Sequence, residues 1–142
     1  MTPKQARLIR ETWNVIVPNA DAVARQFYKN LFEIDPTAAS LFSGTDMDRQ
    51  HTLLIRALCQ VIENVDKPDL LVPVLKELGR RHVDYGVEAH HYASVGSALI
   101  ATLEQGLGCA FTEPIRSAWT AAYSFISGTM QCGENDDAAL TE

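Results

Sequence analysis

His82 stands where its chemistry would count. It lies one turn past Leu78 and two turns past Leu75, so helical spacing puts it on the apolar face of its segment. Imidazole is the commonest side-chain metal ligand at neutral pH. No other His, Cys or carboxylate lies three or four residues from His82, so a zinc site of the HExxH kind is absent. Gly79, on the same short segment, would let something flat or bulky approach closely.

A lone histidine ligand suits haem, where the porphyrin supplies four nitrogens and the protein adds one axial bond. Haem needs an apolar slot with a polar far wall. The segment that begins at Asp46 offers one. Gln50 lies one turn before Leu54 and two before Leu58, and His51 lies three residues before Leu54; periodicity alone does not separate the two as the polar group. Tyr28 falls on an inner stripe one turn after Ala24. A buried phenol needs a hydrogen-bond partner, either a backbone carbonyl or a bound diatomic molecule. Phe42 is either a core plug or a ring stacked on the macrocycle. His90 and His91 fit a solvated loop ahead of a helix and are assigned no role.

The elements that must position these residues read as helices. Thr2 and Gln5 have capping-box spacing with Pro3 at the first helical position, and Pro18 closes that helix. Asn19 or Asp21 can cap the next, which stops at Asp35-Pro36 because a residue before proline avoids the α region. A short helical turn over Pro36 to Phe42 leads into a Ser43-Gly44-Thr45 loop. Asp46 or Thr45 caps a long helix with an inner stripe from Met47 to Val65, broken at Lys67-Pro68. The His82 helix ends at a Gly86 turn. Another helix runs from Tyr92 through Leu103 to the glycines at 106 and 108. Thr112 caps the last, whose stripe runs from Ile115 to Met130 and which is expected to end or fray at Gly133. No stretch alternates with period two. The expected fold class is all-α, about six to eight helices close-packed at mixed angles. Residues 1–134 should form the domain and residues 135–142 a solvated tail.

The chain has 142 residues, enough for one domain with a continuous core and too few for an added electron-donor domain. Its net charge is −6, and no basic run exceeds Arg80-Arg81, which argues against nucleic acid and anionic membrane surfaces as partners. No apolar run approaches the roughly 18 residues needed to span a bilayer. The first residues lack the apolar core of a signal peptide, so a cytoplasmic location is expected. Cys59, Cys109 and Cys132 are odd in number and form no CxxC pair; they read as buried or half-buried apolar residues in a reducing compartment.

The run from Asp35-Pro36 to Leu41-Phe42, the segment Leu78-Gly79-Arg80-Arg81-His82, and the pair Val95-Gly96 with Ala118-Trp119-Thr120-Ala121-Ala122-Tyr123 occur here in an order and spacing that resemble the globin family. The motif Gln26-Phe27-Tyr28-Lys29-Asn30-Leu31-Phe32 is similar to the globin domain of flavohaemoglobins, and the later segments to bacterial single-domain globins and neuroglobins. The resemblance implies a globin fold holding haem b, with His82 as the proximal iron ligand. It implies Tyr28 and Gln50 as the distal hydrogen-bonding pair, Leu54 as their apolar neighbour and Phe42 as the stacked ring. Leu58, Leu78, Arg81, Val87, Tyr92 and Val95 would complete the contacts to the cofactor. His51 would then point about 100° around the helix from Gln50. In flavohaemoglobins the proximal histidine is supported by a tyrosine and a glutamate, which here match Tyr92 and, by counting from Trp119, Glu134.

The implied function is reversible binding of oxygen and other diatomics such as nitric oxide and carbon monoxide, by a monomer or homodimer. The alternative is nitric oxide dioxygenase activity, which would draw electrons from a separate reductase.

Overall fold

A capping box starts the chain's first helix. The Thr2 hydroxyl accepts from the Gln5 N–H at 3.1 Å, and the Gln5 side chain accepts from the Thr2 N–H at 3.0 Å. The computed structural model describes the backbone of residues 2–141 and the side chains of residues 2–133. Seven α-helices occur among the described residues: α1 (Pro3–Ile16), α2 (Ala20–Ile34), α3 (Pro36–Ser40), α4 (Met47–Glu63), α5 (Pro68–Asp84), α6 (Ala89–Leu107) and α7 (Glu113–Thr141). Short 3₁₀ turns over Val17–Asn19 and Gly108–Ala110 join α1 to α2 and α6 to α7.

The expected breaks fall where proline and glycine dictate. Pro18 sits in the first 3₁₀ turn, and Asp35 ends α2 and caps α3 by accepting from the Thr37 N–H at 3.1 Å. Asp46 caps α4, its side chain accepting from the N–H groups of Asp48 and Arg49. Gly86 turns the chain after α5 with φ +86°, a conformation few other residues adopt. The inner stripe of α4 is shorter than its sequence pattern, because the helix stops at Glu63 and Val65 lies beyond it.

Two expectations about glycine are corrected. Gly133 does not end α7, whose backbone stays helical to Thr141. Gly79 does not open space for a flat group: a Cβ built there would lie 2.0 Å from the Met130 carbonyl oxygen. A Cβ on Gly133 would lie 2.4 Å from the Lys76 carbonyl oxygen. The two glycines thus let the backbones of α5 and α7 touch, and this is the most extensive helix pairing in the fold. The expected tail over residues 135–142, and the side chain of Glu134, lie outside the described side chains.

α2 packs chiefly on α6, and α1 crosses α7. At that crossing the Trp119 indole N–H donates to the buried Thr12 hydroxyl at 2.9 Å, while the Trp13 and Trp119 rings lie 6.4 Å apart. Cys59 is half-buried as expected, but Cys109 and Cys132 are exposed, contrary to the expectation for those two. Their helix positions explain it: Cys109 lies in the short 3₁₀ turn and Cys132 on the outer face of α7. No helix among the described residues is long and apolar enough to cross a membrane.

Candidate functional site

The interior divides into two apolar groups, and the chemistry-bearing side chains fall one set in each. The first draws buried residues from α1, α2, α3, α4, α6 and α7. The cap at Asp46 fixes the phase of α4, so Gln50, at its first turn, reaches back to α2. There its Nε2–H donates to the Tyr28 hydroxyl oxygen at 3.0 Å. Tyr28 is 4% exposed, and burial pushes its phenol above the ordinary value, an effect the Gln50 bond partly offsets. The phenol is therefore neutral at physiological pH and keeps a proton to donate. Among the described residues, no hydrogen bond accepts that proton.

Aromatic rings hold Tyr28 in place. Phe42 meets it edge-on at 5.3 Å, and Phe32 lies 5.9 Å away. His51 lies 5.5 Å from the Tyr28 ring at an interplanar angle of 31°. Gln50 thus bonds the phenol's hydroxyl, and His51 lies against its ring. Leu54, Leu58 and Val95 are partly buried against the same group.

The second group joins α5, α6 and α7 with Val61 of α4. Leu71, Leu75, Tyr92 and Met130 are buried there, with Leu78 and Val87 packed against them. His82 is partly buried on the last turn of α5. Its Nδ1 lies 2.6 Å from the Leu78 carbonyl oxygen, so Nδ1 carries the proton and donates it. That tautomer leaves the Nε2 lone pair available, and among the described residues no hydrogen bond involves Nε2. The Tyr92 ring stacks on the imidazole at 6.3 Å and 28°, and Tyr85 lies 5.9 Å away. Arg81, the residue before His82, is exposed and pairs with Glu77 at 3.5 Å.

The donor set is thus one imidazole lone pair on one apolar group, with a phenol and an amide on the other. That set fits haem, which needs a single axial ligand from the protein and apolar contact on both faces. It does not fit zinc, which would need three or four protein ligands at one point.

A family model described as Globin matches residues 25–130. This chain belongs to the globin family. It is 33% identical over 129 residues to a flavohemoprotein of Bordetella parapertussis, an alignment that covers 89% of this globin and 32% of that protein. The globin spans about a third of the length of the curated relatives it matches. Among solved structures it is similar to an engineered carbene transferase described as a putative nitric oxide dioxygenase from Rhodothermus marinus. The identity is 26%, the TM-score 0.84, and 100% and 99% of the two chains are covered. A bacterial globin from Campylobacter jejuni shares the fold with a TM-score of 0.84 at 22% identity, over 97% of this chain and 99% of that one.

Sequence reasoning missed three features of this globin. The resemblance implied Tyr28 and Gln50 as a hydrogen-bonding pair, but nothing in the spacing shows that Gln50 bonds the phenol itself, because the contact spans two helices. The Tyr123 hydroxyl donates to the Tyr92 carbonyl oxygen at 2.6 Å, which pins α6 to α7. The signal for that contact was Gly96, where a Cβ would come within 2.7 Å of the Tyr123 ring. Third, His90 and His91 lie on α6 and not in a loop, and His91 is 5% exposed. The Glu88 N–H donates to His91 Nδ1 at 2.9 Å, a histidine version of the capping box that composition does not advertise.

Proposed function

We propose that this globin binds haem b through His82 and reversibly holds a diatomic molecule, oxygen, nitric oxide or carbon monoxide, beside Tyr28 and Gln50. Haem, when bound, supplies the iron at which such molecules bind. The observation that carries the reading is the buried Tyr28 hydroxyl, which accepts from Gln50 and keeps its own proton to donate. His82 contributes its Nε2 lone pair, with the Leu78 carbonyl fixing the ring and raising its basicity. Phe42, Leu54, Leu58 and Val95 would hold one part of the macrocycle's apolar surface, and Leu78, Val87 and Tyr92 the other. Arg81 is exposed and cationic, which suits the carboxylate edge of the macrocycle. Oxygen gains partial negative charge when bound, so a neutral phenol donor favours it over a less polar ligand.

The test is a titration of the haem-free chain with haem, followed by exposure of the reduced protein to oxygen and then to vacuum. One haem per chain and a spectrum that returns on removing oxygen are expected. No stoichiometric uptake would overturn the proposal. Three unpaired cysteines and an acidic surface suit a reducing cytoplasm. A monomer or homodimer is the expected state.

A second reading is nitric oxide dioxygenase activity. The Tyr28–Gln50 pair favours it, since a donor that retains oxygen also holds it for reaction with nitric oxide. Turnover then draws on a separate reductase. Nitrate formed catalytically when a flavin reductase and reduced nicotinamide are added would support it; a single turnover without acceleration would count against it.

A further inference from the structure

Away from His82, four side chains converge where the start of α6 meets the α2–α3 corner. Asp35 and His91 are buried, and His90 is half exposed. The Thr37 hydroxyl donates to Asp35 Oδ1 at 2.5 Å and lies 3.1 Å from His90 Nε2 and 3.2 Å from His91 Nε2. His90 Nε2 is 3.6 Å from Asp35 Oδ2, and one ligand atom from each of Asp35, His90 and His91 falls within 4.8 Å of the others.

The surroundings orient these groups as metal ligands are oriented. The Ser94 hydroxyl donates to Asp35 Oδ2 at 2.8 Å, and the Thr37 N–H donates to Oδ1. His90 Nδ1 lies 3.4 Å from a Glu88 carboxylate oxygen. A carboxylate on one imidazole nitrogen, with the other turned to a shared centre, is the arrangement that surrounds bound metals and makes the imidazole a better donor. Two imidazoles with one carboxylate suit zinc, copper(II) or nickel(II), and not calcium or magnesium, which prefer oxygen.

We propose that Asp35, His90 and His91 form a binding site for a divalent transition cation, distinct from His82 and independent of haem binding. Three protein ligands leave a fourth position for water or for the Thr37 hydroxyl. One bond must change. His91 Nδ1 accepts the Glu88 N–H, so Nε2 carries the proton. Coordination through Nε2 shifts that proton to Nδ1 and releases the Glu88 N–H from its acceptor. The metal–nitrogen bond outweighs one lost cap. The bound cation would fasten the α2–α3 corner to the start of α6, one residue before Tyr92.

Calorimetric titration of the full chain with zinc chloride tests this, with equilibrium dialysis for stoichiometry. One zinc per chain is expected, at micromolar affinity. His90→Gln should weaken it about tenfold or more, and Asp35→Asn likewise, while His51→Gln should leave it unchanged. His90 is half exposed, so an unaltered melting temperature without zinc would separate ligand loss from misfolding. Faster hydrogen exchange at the Glu88 amide on adding zinc is a second expected signature. No binding below about 100 µM zinc, or binding that His90→Gln leaves intact, would overturn the site. Loss of zinc only with His82→Ala would place the metal on the other histidine and also overturn it.

Discussion

Gln50 donates to the Tyr28 hydroxyl oxygen at 3.0 Å, so the amide orients the phenol and leaves the phenol's own proton without an acceptor among the described residues. Removing that hydroxyl in Tyr28→Phe should raise the oxygen dissociation rate about ten- to a hundredfold, the equivalent of a charge-assisted hydrogen bond of roughly 1.5–3 kcal/mol. Carbon monoxide dissociation should change much less. Gln50→Leu should show the same pattern more weakly, since it loosens the tyrosine without removing it. Stopped-flow measurement on both variants checks this. Equal effects on the two gases would mean that Tyr28 acts through size and packing.

His51 lies against the Tyr28 ring and not at its hydroxyl. Glutamine is a poor iron ligand, so the reduced protein without added gas should be five-coordinate. Its visible spectrum should be high-spin and unchanged by His51→Ala. A sharp low-spin spectrum that this substitution abolishes would assign the sixth ligand to His51.

Gly79→Ala should destabilise the fold by at least about 1–3 kcal/mol, because the new methyl meets the Met130 backbone and cannot be accommodated by a side-chain rotation. Gly128, on α7, has nothing within 4 Å of an added Cβ. Gly128→Ala should be neutral or stabilising by up to about 1 kcal/mol through helix propensity. Urea unfolding of the two variants should move in opposite directions or differ by at least that gap. Similar shifts would mean that the α5–α7 contact does not govern stability.

Hydrogen bonds from Thr37 and Ser94 hold the Asp35 carboxyl below the usual carboxylate range. A lowered folded-state value contributes stability above the ordinary value, and that contribution is lost as pH falls through the lowered one. The urea midpoint of the wild type should therefore drop more steeply on acidification below about pH 4 than that of Asp35→Asn. The two curves should converge at the acid end. Parallel curves would show that Asp35 is not linked to folding in this way.

Helix breaks were legible because their causes are local. Pro18, Pro36, Pro68 and Gly86 act within a residue or two of where they stand. The placement of His82 and Tyr28 on the inner faces of their helices followed from helical periodicity. Contacts between helices were not legible. Gly79 reads as open space along α5, and only the path of α7 shows that Met130 fills it. His91 reads as solvated because its burial depends on Asp35 and Thr37, more than fifty residues earlier.

The proposal that His82 supplies the axial bond to haem is tested by the visible spectrum of reduced His82→Ala, recorded with and without added imidazole. The variant should retain little haem, or retain it with an altered spectrum that imidazole restores toward that of the wild type. Wild-type haem content with an unchanged reduced spectrum in the absence of imidazole would contradict it.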